Sequence, residues 1–239
     1  MTTALIFAGG TGQRMNTRAK PKQFLELHGK PIIIYTLEHF EYHSDIDNII
    51  IVCLEKWIRE LKHLLQYYTF EKVSQVLPGG DGGDRSIYNG LKALEGICMP
   101  GDIVLIHDGV RPLINEELIT ANIEKVKEWG NAITIEAVTE TVVRLNGDDL
   151  ITEVPLREKM FAAKAPQSFR YGMIWELYQR AAKEGIRTVD SAHLCSLYGV
   201  EMHTVKSTPN NMKITQPADY YIFRALYEAM ENDQILGTY

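Results

Sequence analysis

The sequence of 239 residues predicts an α/β fold, with a mostly parallel β-sheet and helices on both of its faces. Short apolar runs, bounded by turn residues, alternate with stretches in which apolar residues recur every three or four positions. The chemically unusual motifs follow the apolar runs directly, which is where sheets of this kind bind ligands. The length suits one core, so we expect a single domain over residues 1–239.

The apolar runs predict the strands and the helical patterns predict the helices. The predicted strands are Ala4–Ala8, Asn48–Cys53, Ser74–Leu77, Asp102–His107 and Ala132–Ala137. The predicted helices are Ile33–Phe40, Lys56–Tyr67, Ser86–Leu94, Glu116–Trp129, Gly172–Lys183 and Pro217–Glu231, followed by a frayed end at residues 232–239. Right-handed connections between parallel strands then place helices on both faces of the sheet.

Residues 139–167 have a different pattern and predict a β-arm that projects from the sheet. Val142–Leu145 and Leu150–Val154 flank an Asn146–Gly147 pair, which is typical of a hairpin turn. An isolated two-stranded hairpin is only marginally stable in water. We therefore expect the arm to pack against a second copy of the chain.

Composition excludes several classes of protein. The formal net charge of −6 disfavours a nucleic-acid partner, because such proteins usually present a basic surface. The apolar runs are far shorter than the roughly 20 residues that cross a membrane, and the first residues lack the pattern of a secretion signal, so we expect a cytoplasmic protein. Cys53, Cys98 and Cys195 have no metal-binding spacing and are expected to be buried thiols.

The first strand leads into Gly9–Met15, a segment that contains several glycines and whose backbone N–H groups can surround phosphate oxygens. Alone, such a loop fits a phosphate site, a dinucleotide site or a simple turn equally well. Arg14 and Lys22, the latter next to the stiff Pro21, supply two cations that favour a triphosphate. Met15 replaces the third glycine of the dinucleotide fingerprint, which disfavours an oxidoreductase.

Two further motifs follow later strands. In Pro78–Ser86 the glycines allow the backbone to approach a flat base, and Ser86 is expected to cap the following helix. In His107–Pro112, Asp108 ends the most hydrophobic strand and suits a Mg²⁺ ion that bridges substrate phosphates. His107 is expected to be a hydrogen-bonded core residue without a catalytic role.

Together these motifs resemble one family, the cytidylyltransferases that act on methylerythritol phosphate and ribitol phosphate. The motifs that carry the resemblance are Gly9–Met15, Pro21–Gln23, Gly79–Gly80 with Ser86, His107–Pro112, Ala165–Gln167 and Asn211–Thr215. They occur in the family's order and at its spacing over nearly the whole chain. The resemblance implies a Rossmann-like nucleotidyltransferase fold, a homodimer formed through the arm, CTP and a polyol phosphate as substrates, and Mg²⁺.

The resemblance also implies roles for individual residues. Contacts to CTP would come from Ala8, Gly9, Gly10, Thr11, Gly12, Arg14, Lys22, Gly79, Gly80, Arg85, Ser86, Asp108 and Lys213. Among these, Arg14, Lys22 and Lys213 would be catalytic, and Asp108 would also hold the metal. The acceptor would be bound by Arg111, Thr141, Arg157 and Asp190, with Thr141 and Arg157 acting within the subunit or across the dimer.

The arm favours one acceptor over another. Methylerythritol enzymes usually carry Asp-Thr-(Leu or Met)-Lys where this chain has Glu140–Val143, so the lysine is absent here. Ile135–Val143, Val154–Arg157 and Met160–Phe161 instead resemble ribitol-phosphate enzymes. We therefore favour D-ribitol 5-phosphate, giving CDP-ribitol, with 2-C-methyl-D-erythritol 4-phosphate as the alternative. Gly83 replaces a usual arginine and Ala165 a usual threonine, and these departures leave a non-catalytic CTP-binding module as a third reading.

Overall fold

The computed structural model describes residues 1–9 and 20–236 of the chain. The strands are β1 (Thr2–Ala8), β2 (Glu26–Leu27), β3 (Lys30–Pro31), β4 (Asn48–Cys53), β5 (Val73–Pro78), β6 (Ile103–Asp108), β7 (Asn131–Ala137), β8 (Arg144–Leu145), β9 (Ile151–Glu153), β10 (Phe161–Arg170) and β11 (Thr204–Lys206). The helices are α1 (Ile32–Glu41), α2 (Ile58–Tyr67), α3 (Gly83–Ala93), α4 (Glu116–Trp129), α5 (Tyr171–Glu184), α6 (Ser191–Leu197) and α7 (Pro217–Leu236).

Seven strands of the described chain form one sheet in the order β11-β7-β10-β6-β1-β4-β5. Within it, β1 pairs in parallel with β4 and β6, β4 with β5, and β7 with β11. Only β10 runs antiparallel to its neighbours β6 and β7 in this sheet. The predicted α/β class and mostly parallel sheet are confirmed.

The central strands are buried on both faces, which explains why their sequences are apolar throughout. Successive side chains point to opposite faces of a sheet. Accordingly, Ile6 and Ile49 pack in a core cluster that contains residues of α1, α2 and α4. Leu5 and Ile50 pack in a second cluster, with residues of α3 and α5. The amphipathic helices therefore cover both faces, as predicted.

The structure corrects the predicted elements in several places. β10, α6, β11 and the short β2–β3 pair were not predicted from the sequence. β10 lacks an apolar run and contains Pro166, which the sheet accommodates where the pairing with β7 shifts register between Ala163 and Gln167. The predicted fraying from residue 232 is wrong as far as Leu236, since α7 continues to that residue.

The chain between β7 and β10 forms the predicted hairpin. β8 and β9 pair antiparallel, and Arg144 forms an ion pair with Glu153 at 2.9 Å. The connection is longer than a two-residue turn, since Leu145 pairs with Ile151. Within it, the Asn146 side chain accepts the N–H groups of Asp148 and Leu150 at 2.9 and 3.0 Å. Residues 161–167, which the sequence assigns to the arm, belong to β10 instead.

Two further findings concern the bulk properties of the chain. The three cysteines are free and buried, as predicted. Burial raises the pKa of the Cys53 thiol to about 11 and that of the Cys195 thiol to about 12, so both stay protonated at neutral pH. Among the described residues, no helix combines the length and the apolar character that a membrane crossing requires.

A buried polar network joins α4 to β7 and β10. The Asn122 amide donates to the Thr134 hydroxyl at 3.1 Å and accepts from the Ser168 hydroxyl at 3.0 Å, and Thr134 donates to the Pro166 carbonyl at 2.7 Å. All three side chains are inaccessible to solvent. The network therefore replaces water as the partner of these polar groups.

We expect Asn122→Ala to lower the free energy of unfolding by about 2 kcal/mol, because it leaves buried hydroxyl groups without their partner. Urea denaturation measures this. Glu124→Ala on the same helix is the control, since it removes an exposed ion pair with Lys127 that contributes little. Equal effects of the two substitutions would contradict a structural role for the network.

Candidate functional site

A cavity of about 470 Å³ opens at the carboxyl ends of β1 and β6. It is lined by Phe7, Ala8, Gly9, Lys22, Gln23, Leu54, Gly80, Asp81, Gly82, Gly83, Ser86, Asp108, Val110 and Lys213. Its volume lies within the range of about 300 to 1,000 Å³ that is usual for small-molecule sites. Another cavity, of about 380 Å³, lies between α1 and α7 and is lined by none of the predicted site residues.

The structure brings many of the predicted residues together. Ala8, Gly9, Lys22, Gly80, Ser86, Asp108 and Lys213 all line the cavity. Gly79 lies at its edge, where its N–H donates to the Cys53 carbonyl at 2.8 Å, and Arg111 contacts Asp108 from behind. Gly10, Thr11, Gly12 and Arg14 lie outside the described residues.

Other predicted residues lie elsewhere. Arg85 borders a narrow groove with Tyr88 and Tyr178, and within the described part of the chain it does not line the cavity. Thr141 and Arg157 lie on the arm, where Arg157 donates to the Thr139 carbonyl at 3.2 Å. No described arm residue forms part of the cavity wall. Their predicted contacts to the acceptor remain predictions.

Asp190 occupies the N-terminus of α6. One carboxylate oxygen accepts the His193 N–H at 2.8 Å, and the other accepts from the Gln167 side chain at 2.9 Å. The residue therefore caps α6 and ties it to β10. It is not among the described residues that line the cavity, so its assignment to the acceptor site also remains a prediction.

Asp108 is a buried carboxylate that lies between two cations. Its side chain is 5% exposed, and its two oxygens contact Lys213 Nζ at 2.5 Å and Arg111 Nε at 2.8 Å. Burial opposes ionisation of the carboxyl group, but the two cations outweigh it and lower the pKa of Asp108 to about 2. Asp108 is therefore ionised at neutral pH, between Lys213 and Arg111.

His107 precedes Asp108 and points into the core. Burial lowers the pKa of its imidazole to about 3, so the ring is neutral, and it packs against Phe40 with the ring centroids 5.1 Å apart. The expected hydrogen bond is not formed in good geometry, since neither ring nitrogen has a regular partner among the described residues. Its structural position is as predicted.

Lys22 reaches the site from a 3₁₀ turn, Lys22–Phe24, that follows Pro21. Its ammonium group donates to the Ile214 carbonyl at 2.8 Å, which brings it to the segment that carries Lys213. Gln23 donates to the Ala8 carbonyl at 2.6 Å and thereby fixes the turn to the end of β1. The sequence predicted Lys22 but gave no role to Gln23, although both belong to the motif after Pro21.

Ser86 organises the segment Pro78–Ser86, called the glycine-rich loop from here on, whose last residues form the first turn of α3. Its hydroxyl accepts the Gly80 N–H at 3.1 Å and donates to the Gly82 carbonyl at 2.8 Å. The predicted cap is wrong, because Gly82 is the N-cap residue and Ser86 lies inside the helix. A Cβ atom on Gly80 would lie 2.3 Å from that of Arg85, so the close passage of this loop requires glycine.

The residues also fit a magnesium ion of the kind expected. Among the described residues, no three His, Cys, Asp or Glu side chains form a metal cage. Mg²⁺ commonly uses one or two carboxylates and takes its other ligands from substrate phosphates and water. Asp108 is ionised at the cavity wall and can serve as that carboxylate if a triphosphate supplies the rest.

The sequence also missed Arg187, which contacts the acidic residues of the glycine-rich loop. Its guanidinium lies 2.5 Å from a carboxylate oxygen of Asp84 and 3.3 Å from one of Asp81. Arg187 lies in the connection between α5 and α6, about a hundred residues from these partners. No local sequence signal could have identified it.

Residues 2–228 match the model of the family described as IspD, 2-C-methyl-D-erythritol 4-phosphate cytidylyltransferase. The chain is 47% identical over 238 residues to a ribitol-5-phosphate cytidylyltransferase of Streptococcus agalactiae, covering 99% of this chain and 100% of the relative. It is 33% identical over 228 residues to a 2-C-methyl-D-erythritol 4-phosphate cytidylyltransferase of Clostridium botulinum, covering 95% of this chain and 98% of the relative. The first relative is thus clearly more similar.

Among solved structures, the fold resembles that of 4-diphosphocytidyl-2C-methyl-D-erythritol synthase from Anaerococcus prevotii. The TM-score is 0.82 at 25% sequence identity, and the similarity covers 95% of this chain and 96% of the other. The similarity includes the sheet whose carboxyl edge bears the cavity. The predicted nucleotidyltransferase fold is thereby confirmed.

The free energy of unfolding at acid pH should depend on the charge of Asp108. Its pKa is lowered from 3.8 to about 2 in the folded protein. The ionised carboxylate therefore stabilises the fold above about pH 4 by about 2 kcal/mol, and this contribution is lost as the pH falls from about 4 to about 2. In urea denaturation, the stability difference between the wild type and Asp108→Asn should shrink by that amount over this interval.

The control is Asp148→Asn, which changes an exposed carboxyl group in the arm. It should differ little in stability from the wild type, because the substitution lies on the surface and removes no buried contact. A difference that stays constant for Asp108→Asn as well would contradict the stabilisation of its carboxylate by Lys213 and Arg111.

Proposed function

The chain belongs to the IspD family of cytidylyltransferases, and we propose that its acceptor is D-ribitol 5-phosphate, which it converts with CTP into CDP-ribitol and pyrophosphate. The 47% identity to a ribitol-5-phosphate cytidylyltransferase over the whole chain is the observation that carries this choice. Three relatives from Clostridium botulinum that are named for the methylerythritol substrate are 32 to 33% identical. Residues Ile135–Val143, at the end of β7 and the start of the arm, support the same choice.

The cavity suggests how CTP would lie in it. Lys22 and Lys213 enter from one side, next to Asp108, and supply positive charge for the phosphates. Gly80, Gly82 and Ser86 form the opposite wall, where a loop without large side chains leaves room for a flat base. We therefore place the triphosphate near the lysines and the cytosine against the glycine-rich loop.

The reaction needs positioning rather than a strong base. An oxygen of the acceptor phosphate is already ionised at neutral pH and attacks the α-phosphorus of CTP, while the bond to pyrophosphate breaks. Lys22 and Lys213 would neutralise the charge that develops on the phosphate oxygens. Asp108 would orient Lys213 and hold Mg²⁺, which when bound adds further positive charge to the triphosphate.

The arm gives a reason to propose a homodimer. Among its apolar residues, Leu145, Leu150, Ile151, Val154 and Leu156 are at least half exposed. A short hairpin with this much exposed apolar surface gains stability when a second surface covers it. We propose that two copies pair through their arms and that Arg157 of each arm binds the acceptor phosphate in the site of the partner.

A cytoplasmic location also fits the chain. The three cysteines are free rather than paired in disulfides. Reduced thiols are usual in the cytoplasm, where disulfides rarely persist. This supports the location predicted from the sequence.

The acceptor is tested by pyrophosphate release from CTP and Mg²⁺ with D-ribitol 5-phosphate or 2-C-methyl-D-erythritol 4-phosphate in separate reactions. We expect turnover with ribitol phosphate and at least about a hundredfold lower kcat/KM with the other acceptor, because buried polar groups reject a ligand that leaves them unpaired. Lys213→Ala is the inactive control. Preference for methylerythritol phosphate would overturn the acceptor, and CTP binding without turnover would indicate a binding module.

The sharing of sites is tested by co-expressing Arg157→Ala and Lys213→Ala subunits. If Arg157 acts across the dimer, mixed dimers contain one complete site, and activity at low acceptor concentration should recover to about a quarter of the wild type. Each variant alone should stay well below this value. Failure of the mixture to recover would place Arg157 in its own subunit's site or outside both sites.

A further inference from the structure

Arg187 makes a two-point ion pair with Asp84. Its Nε and Nη2 atoms donate to the two carboxylate oxygens at 2.5 and 3.0 Å, and its Nη1 donates to Asp81 at 3.3 Å. Such paired contacts fix the orientation as well as the distance of the two groups. One guanidinium therefore holds both acidic residues of the glycine-rich loop.

The position of these partners connects Arg187 to the cavity. Asp81 lines the cavity, as do Gly82 and Gly83, whereas Asp84 lies in the first turn of α3 and is only 8% exposed. A Cβ atom on Gly82 would lie 2.7 Å from Arg187 Nη2, so the guanidinium rests directly against the loop backbone. Arg187 thus supports from behind the stretch of loop that forms the cavity wall.

The Asp84 carboxylate is well suited to anchor this contact. Burial opposes its ionisation, but Arg187 and the backbone N–H groups of Arg85 and Thr188 outweigh this effect and hold its pKa below the usual range. Arg85 belongs to α3 and Thr188 to the connection between α5 and α6. The carboxylate therefore joins two segments of the chain through several charge-assisted hydrogen bonds.

The second segment is itself fixed to the sheet. Two residues beyond Thr188, Asp190 caps α6 and accepts from Gln167 of β10 at 2.9 Å. Gln167 also accepts the Ala192 N–H at 3.0 Å. The glycine-rich loop is thus connected through Asp84 and Arg187 to β10, which makes the support rigid rather than a contact between two free loops.

We propose that Arg187 is a positioning residue of the nucleotide site, which holds the glycine-rich loop in the shape that recognises the base of CTP. This rests on the proposed placement of the cytosine against that loop. Without the clamp, the loop would have to be ordered when the nucleotide binds, and this cost would reduce affinity. Lys22 donates to the Ile214 carbonyl and Lys213 to Asp108, whereas Arg187 binds Asp84 and Asp81, so recognition of the phosphates should be spared.

Equilibrium binding of CTP, UTP and inorganic triphosphate separates the two sides of the site. For Arg187→Ala we expect the Kd for CTP to rise about tenfold, which corresponds to about 1.4 kcal/mol, with little change for triphosphate. Discrimination between CTP and UTP should fall, since it depends on the shape of the loop. Arg187→Lys keeps the charge but loses the two-point contact, so its Kd for CTP should be intermediate.

The matched control is Arg180→Ala on the neighbouring helix. Arg180 forms an exposed ion pair with Glu184 at 2.8 Å and does not line the cavity within the described chain. It should bind all three probes like the wild type. Thermal denaturation of each variant accompanies the binding data, so that a loss of folded protein is recognised, and Arg187→Lys then carries the test.

Several outcomes would overturn the proposal. Wild-type affinity of Arg187→Ala for CTP would show that the clamp does not shape the site. An equal loss for CTP and triphosphate would show general damage rather than positioning of the base. A wild-type protein that bound triphosphate but did not prefer CTP over UTP would instead remove the proposed placement of the base, and this inference with it.

Discussion

The buried Asp108 carboxylate contacts two cations, Lys213 and Arg111, and these contacts compensate for the water that the carboxylate has lost. Replacing either cation would leave the buried carboxylate with a single charged partner. The segment around Lys213 is therefore drawn against the end of β6, and Lys22 donates to the carbonyl of the next residue, Ile214. Three stretches of chain thus meet at one carboxylate.

The same compensation explains the composition of the site. Asp108 neutralises part of the positive charge of Lys213 and Arg111, and the phosphates of CTP would bring further negative charge to Lys213, which lines the cavity. The group has two cations and one carboxylate at neutral pH, so it favours an anionic ligand over a neutral one. A chain with a formal charge of −6 can thus bind an anion through local charge alone.

The sequence predicted the parts of the fold that follow from local patterns. β4 and β6 are apolar throughout because both faces are buried, and the glycine-rich loop and Asp108 follow strands in an order that indicates one edge of a sheet. β10 could not be predicted, since its central position is set by neighbours rather than by its own side chains. Ser86 was identified, but its role as a loop brace depends on the position of Gly80.

Arg187 shows most clearly why part of the site was missed. Its partners are about a hundred residues away, and only the packing of α3 and α5 on the same face of the sheet brings the connection after α5 to the loop before α3. Sequence motifs identify residues that contact a ligand, because such residues lie in short segments directly after the strands. They do not identify residues that hold those contacts in place. If the loop needs such support, the fold behind the cavity, and not the cavity wall alone, determines which nucleotide the enzyme accepts.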